Sequence, residues 1–271
     1  MTPAAQAPSD FLTVQMPRPR LIPVLLVDRD RRLVKTVRFG ERTYIGDPFN
    51  VVRLFNEKEV DEIVVLDIDA GPAGRGPDFG FLAELASECF MPLAYGGGIG
   101  DVADCERLNR DGIEKFVLGH AAFDTDRIAR IAAAFGSQAV VACIDVAGSA
   151  DAAHCVSRSG RERHAVDPLQ HALAAQRAGA GEIIVQSVDR DGTREGMDLV
   201  LIDRLAHALD VPVVALGGAG DLHHLAQALR SGASAVASGS AFCFIGRLRA
   251  VLVTYPKRCE VGAALAAEAG S

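Results

Sequence analysis

Short runs of aliphatic and β-branched residues recur along the chain. Each is followed by a longer stretch whose apolar positions return every three or four residues. The runs are "LIPVLLV", "EIVVLDI", "PLAYGG", "KFVLG", "AVVACIDV", "EIIVQSV", "PVVALGG" and "AVASGS". Nearly continuous apolar runs of this length suit strands buried on both faces. The stretches between them, such as "DPFNVVRLFNEKEV", "DTDRIARIAAAFG" and "DLVLIDRLAHALD", suit helices with one apolar side. Several open on an Asp, whose carboxylate accepts from the free N–H groups of a first turn, and close on Gly or a turn. Eight strand–helix pairs predict an α/β fold, a single (β/α)8 TIM barrel over residues 18–256, better than an open doubly wound sheet. Residues 1–17 are expected to form a flexible leader and 257–271 a flexible tail.

The pattern also repeats within itself. "DEIVVLDIDAG" from Asp61 aligns with "GEIIVQSVDRDG" from Gly181, and "PLAYGGGIGD" from Pro92 with "PVVALGGAGD" from Pro212. Both pairs are offset by 120 positions, so the barrel is expected to be two copies of a half-barrel. The same alignment sets Leu26, at the end of the first strand, against Asp145 at the end of the fifth.

Composition narrows the function classes. Lys and Arg total 28 against 35 Asp and Glu, a net charge of −7, so no global basic field favours nucleic acid. No apolar run reaches the roughly 20 residues needed to span a bilayer. The first residues lack the basic start and apolar centre of a signal peptide. Six cysteines, with no CxxC pair, mostly fall in apolar segments and read as reduced core thiols of a cytoplasmic protein. His223-His224 opens a helix and suits a solvated or capping role, so no metal or cofactor is expected.

Two groups of residues carry candidate chemistry. Gly96-Gly97-Gly98 and Gly217-Gly218 end the third and seventh strands, and each precedes a second turn, at Gly119-His120 and Gly239-Ser240. Glycine there lets backbone N–H groups approach an anion, so two phosphates at opposite sides of the mouth are expected. His120 crowds the first turn, which favours the second. Barrels need tight turns anyway, so a purely structural role is the alternative. At the other end, Arg20, Glu62, Lys115 and Glu182 all stand at or near strand starts, where spacing alone favours an ordinary salt-bridged plug.

The pieces "RLIPVLLV…LVK", "GDP", "DEIVVLDI", "YGGGI", "FGSQAVVACIDV", "GAGEIIVQSVDRDGT" and "LGGAGD" resemble, in order and spacing, the HisF cyclase family of imidazole glycerol phosphate synthase. The likeness runs from about Arg20 to Tyr255. It implies a glutaminase partner docked beneath the barrel and ammonia crossing the core to a mouth that holds a phosphorylated small molecule. By the same resemblance Arg20, Glu62, Lys115 and Glu182 match the family's ammonia gate. Gly97, Gly98, Gly217, Gly218, Gly239 and Ser240 match its phosphate turns, and Lys35 a lysine of the loop after the first strand.

The chain departs from that family at one decisive point. The cyclase uses two aspartates as general acid and base; Asp145 matches the second, but Leu26 stands where the first belongs. A leucine cannot transfer a proton, a step that typically contributes about 10²–10⁴-fold to rate. Asp28 has the same parity but lies roughly 6.6 Å further out. The stretch "LVKTVRFGERTYIGDPFNVVRLFNEKEVDEIVVLDIDA" resembles a paralogous branch associated with surface-polysaccharide gene sets. That branch implies ammonia supplied to an ATP-dependent sugar amidotransferase and an acetamidino-sugar product in lipopolysaccharide formation. Three readings follow: an ammonia-conducting subunit, a working cyclase-lyase of histidine biosynthesis using Asp145 alone or with Asp28, and a non-catalytic scaffold that activates the glutaminase.

Overall fold

The computed structural model describes residues 19–149, 152–246 and 250–267; the expected leader lies outside them. Eight parallel strands form the barrel: β1 (Arg20–Val27), β2 (Ile63–Asp67), β3 (Leu93–Gly96), β4 (Lys115–Leu118), β5 (Val140–Ala147), β6 (Glu182–Ser187), β7 (Val213–Leu216) and β8 (Ala235–Ser238). Each pairs with the next in chain order, and β8 returns to β1 with Arg20 opposite Ala235, which closes the ring. One helix follows each strand: α1 (Pro48–Glu57), α2 (Phe79–Ser87), α3 (Val102–Arg110), α4 (Thr125–Phe135), α5 (Pro168–Ala178), α6 (Leu199–Ala206), α7 (Leu222–Arg230) and α8 (Arg258–Ala267). The structure therefore has the predicted (β/α)8 architecture.

Local chemistry fixes the helix starts. The side chains of Asp47, Asp78, Asp101, Asp124, Asp167, Asp198 and Asp221 each accept from a backbone N–H in the first turn of α1 through α7. Proline at the first position of α1 and α5 adds a preset φ where no N–H is needed. Strand side chains then divide by parity. One set, including Leu25, Val65, Tyr95 and Phe116, packs outward against the helices. The other, including Ile22, Val24, Val64, Ala94, Val117, Val141, Ile184 and Val214, fills the barrel interior.

The segment read as a tail contains α8. Arg230 donates to the backbone oxygens of Ala264 and Leu265, and Val261 packs on the core. Just before α8, the Tyr255 hydroxyl donates to Leu21 O at 2.9 Å, tying this end to the barrel bottom. The tail pattern, rich in Ala and Gly, carries too little apolar contrast to reveal a docked helix. Among the described residues no helix is long and apolar enough to cross a membrane.

Two hairpins rise from the mouth at equivalent places. The first arm (Leu33–Lys35 and Thr43–Gly46) folds back on β1, and the second (His154–Ser157 and Glu162–His164) on β5. Their turns carry consecutive left-handed residues: Arg38 at φ 53° and Phe39 at 57°, then Arg158 at 51° and Ser159 at 58°. These pairs are 120 positions apart, so the repeat extends into the arms. Left-handed backbone costs a residue with a Cβ roughly 1–2 kcal/mol, which surrounding contacts must offset.

Those contacts cross the mouth. Arg38 N donates to Asp191 O and Arg38 Nε to Asp189 O, both at 2.9 Å. Arg158 Nη1 donates to Gly71 O at 3.0 Å and Ser159 Oγ to Ile68 O at 3.2 Å. Each half thus lays its arm on the other half. The tips meet: a Cβ added to Gly160 would come within 3.6 Å of Phe39 Cδ2.

Candidate functional site

At the barrel bottom the four charged strand-start residues converge. Arg20 donates through Nη1 to Glu62 and through Nη2 to Glu182. Lys115 Nζ donates to both oxygens of Glu62, at 2.9 and 3.0 Å, and to Glu182 Oε2 at 2.9 Å. The result is a closed ring of alternating charge, drawn from β1, the turn before β2, β4 and β6. The carboxylates are buried, with 4% and 8% of their side chains exposed, while Arg20 and Lys115 keep 30% and 21%. Burial alone would raise the Glu182 carboxyl; the hydrogen bond from Arg20 and the charge of Lys115 outweigh it and hold it below the ordinary range. Burial tends to lower Arg20 as well, but the two carboxylates leave it raised. Six residues along β1, about 20 Å, separate this ring from Leu26 at the other end of the interior.

The mouth holds a pocket of about 760 Å³ under the arms. Leu26, Leu66, Val117, Cys143, Asp145 and Gln186 form its floor, the upper end of the interior side chains. Asp145 accepts from Cys143 Sγ at 3.8 Å. Burial pushes its carboxyl up to about 7; the Cys143 contact opposes this, and the charge of Asp191 adds to it. Asp191, on the loop after β6, is itself pushed up to about 6, again by burial, against the charge of Lys35 and hydrogen bonds from Thr36 and Gln186. In the sequence Asp191 appears only within the stretch "GAGEIIVQSVDRDGT"; its approach to Lys35 and Thr36 depends on the first arm crossing the barrel.

A pH dependence follows. The folded-state pKa of Asp145 lies above its unfolded value near 3.8, so this group's favourable contribution is complete below pH 3.8 and is lost as pH rises through about 7. Asp145→Asn is therefore expected to unfold later than wild type at pH 8, by at most about 4 kcal/mol, and to lose that advantage near pH 4. Denaturant titrations at both pH values measure it; the same difference at each would contradict the assignment.

Asp28, the other candidate acid, lies away from the pocket floor that holds Asp145. It is buried in the turn after β1, where its carboxylate accepts from Arg32 Nε and Nη2 at 3.0 and 2.8 Å and from the backbone N–H groups of Asp30 and Arg32. Burial would raise this carboxyl, but the Arg32 contacts leave it lowered. It stands outside the pocket lining. Parity along β1 does not extend into a turn.

The two glycine turns differ in what lies over them. Gly97, Gly98, Gly119 and His120 line the open pocket; Gly217, Gly218, Gly239 and Ser240 do not. The ammonium of Lys35, buried and held by Val24 O, lies against Gly239. Burial lowers the Lys35 pKa, opposed by Cys243 and Asp191. His120 lines the pocket with Nδ1 3.2 Å from Ser157 Oγ, while Lys35 lies against the second turn. The glycines are needed by the protein's own backbone too. A Cβ on Gly97 would lie 2.7 Å from Asp67 Cβ, and one on Gly217 2.6 Å from Ser187 O.

A closed half-barrel repeat with a charged ring across one end and an acid-bearing pocket at the other defines a narrow class. The chain belongs to the family of histidine biosynthesis proteins, whose model matches residues 20–248. Within it the chain is of HisF type. It is 47% identical over 252 residues to a Pseudomonas aeruginosa protein provisionally assigned as imidazole glycerol phosphate synthase subunit hisF2, covering 91% of this chain and all of that one. A Vibrio vulnificus protein provisionally assigned as subunit hisF3 is 40% identical, over 93% of this chain and 98% of its own length. The imidazole glycerol phosphate synthase subunit HisF of Exiguobacterium sibiricum is 38% identical, over 82% of this chain and 90% of its own.

Proposed function

We propose that this chain is the synthase subunit of a glutamine-dependent pair, which takes ammonia from a glutaminase at the barrel bottom and conducts it to the mouth without closing an imidazole ring. The acceptor is a sugar, converted from an acetamido to an acetamidino form by a separate ATP-dependent amidotransferase in lipopolysaccharide formation. One observation carries the reading: the charged ring is complete while the pocket floor, where the interior side chains end, has Asp145 as its single acid. A small neutral molecule passes the ring when one side chain swings aside, and the interior above it is lined by short apolar side chains such as Ala94, Ala235 and Ala237. Conduction needs that ring and interior. Ring closure needs paired proton transfer, and Leu26 supplies none.

A second reading, cyclase of histidine biosynthesis, is favoured by Asp145, whose carboxyl near 7 suits a general acid or base at neutral pH. Complementation separates the two. A strain lacking its histidine-pathway cyclase is expected to stay auxotrophic when given this gene with its glutaminase; growth at the normal rate would sink the conduit reading in favour of the cyclase.

A further inference from the structure

The pocket under the arms concentrates a charge that the molecule as a whole lacks. In a chain of net charge −7, five arginines line it (Arg42, Arg75, Arg127, Arg158 and Arg161) against Asp67, Asp104 and Asp145. Internal partners account for some of them. Arg42 forks onto Asp69 at 2.6 and 2.7 Å, Arg75 reaches Asp67 at 2.7 Å, and Arg158 lies 3.0 Å from Glu162. The remaining two are uncommitted. Among the described residues the Arg161 guanidinium has no hydrogen bond or ion pair, and Arg127 has only a 3.5 Å approach to Asp124, its Nε enclosed without an acceptor.

The neighbouring donor atoms favour an anion over a cation. His120, Glu162 and His164 bring three ligand-type atoms within 4.8 Å of one another, as a metal site would. The Ser157 hydroxyl already lies 3.2 Å from His120 Nδ1, 3.2 Å from Glu162 Oε2 and 2.8 Å from His164 Nε2. Arg158 Nη2 stands 3.2 Å from His120 Nε2. A guanidinium only donates, so Nε2 must accept and the His120 proton sits on Nδ1, which closes that nitrogen to a metal. A cation would also sit beside Arg158.

We propose that Arg127, Arg158, Arg161 and His120, which line the same pocket, form a diphosphate-binding site at the first-half side of the mouth. Arg127 stands on α4 and Arg161 on the second arm, so two guanidinium forks approach from separate elements. Each fork matches two phosphoryl oxygens, and a diphosphate offers one phosphoryl group to each. The left-handed backbone at Arg158 and Ser159 is what turns this arm onto the mouth, and strained backbone of this kind persists at ligand clamps. The pocket, at about 760 Å³, leaves room for a sugar-sized group beyond the phosphates. This inference deepens the reading above by giving the chemistry of what docks at the mouth, and it rests on the mouth being the acceptor end.

Calorimetric titration of the full chain with inorganic pyrophosphate and, separately, inorganic phosphate at fixed ionic strength tests it. Pyrophosphate is expected to bind at least about ten-fold more tightly than phosphate. Arg161→Gln and Arg127→Gln should each weaken pyrophosphate binding by roughly ten-fold, the scale of one lost charge-assisted contact. Arg29→Gln removes the same charge from an exposed position outside the pocket and should leave binding within about two-fold. Equal affinity for the two anions, no binding, or an equal loss in all three variants would each overturn the site. The conduit stands or falls separately. A shifted glutamine-to-ammonia activity ratio in Lys115→Met without pyrophosphate binding removes this site alone, and the opposite pattern removes the conduit alone.

Discussion

With Lys115 replaced by methionine, glutamine hydrolysis should continue while less of the released ammonia reaches product. Lys115, like Arg20, holds both buried carboxylates at once, at 2.9–3.0 Å. Methionine keeps much of the stem but leaves Glu62 and Glu182 to share Arg20, so the ring opens on one side and water enters. Removing one partner from a buried ion network can cost about 3–5 kcal/mol, and the partial exposure of Lys115 argues for the lower end or less. Destabilisation alone must therefore be separated from leakage. The reconstituted system, with its glutaminase and acceptor enzyme, would be assayed with glutamine and again with added ammonia salts. A conduit defect lowers the first activity and spares the second; simple misfolding lowers both together. An unchanged ratio in a folded variant would make the ring a structural plug.

Leu26→Asp should have the opposite character, adding chemistry at a cost in stability. The introduced carboxylate would join Asp145 on the pocket floor, where burial already raises one acid to about 7. A second carboxyl on this floor would restore a pair of groups able to give and take a proton, which ring closure by paired acid–base catalysis needs. Measured with the cyclase's bisphosphate substrate and added ammonia, the variant is expected to form cyclised product with a bell-shaped pH profile. Wild type should form little or none under the same conditions. Burying the carboxylate should cost on the order of a few kcal/mol, read from the denaturation midpoint. A wild-type protein that already cyclises with a bell-shaped profile would refute the role given to Leu26.

Much of the architecture was legible because it is periodic. Strand runs, Asp caps and the 120-residue offset are local or repeating signals, and parity alone places Arg20 and Leu26 on one face of β1. The convergence of Arg20, Glu62, Lys115 and Glu182 follows once the ring closes. What sequence reading missed depends on distant segments meeting. Asp28 has the right parity for a mouth acid, yet a turn captures it through Arg32. Lys35 lies over Gly239 only because the first arm folds inward. The arginines on α4 and the second arm share no spacing motif; tertiary packing brings them to one pocket. In hindsight, "VRFGER" and "SRSGRER" at the same offset were a trace of the paired arms.

The crossed arms make the two halves of the chain hostage to one another. Arg38 is held by carbonyls of the second half, and Arg158 by one of the first. Neither half could shed its sibling without exposing its own mouth and losing the contacts that offset its left-handed turn. Duplication here did not yield two independent modules strung together. It yielded two halves whose arms rest on each other, so the whole barrel is expected to unfold as one cooperative unit.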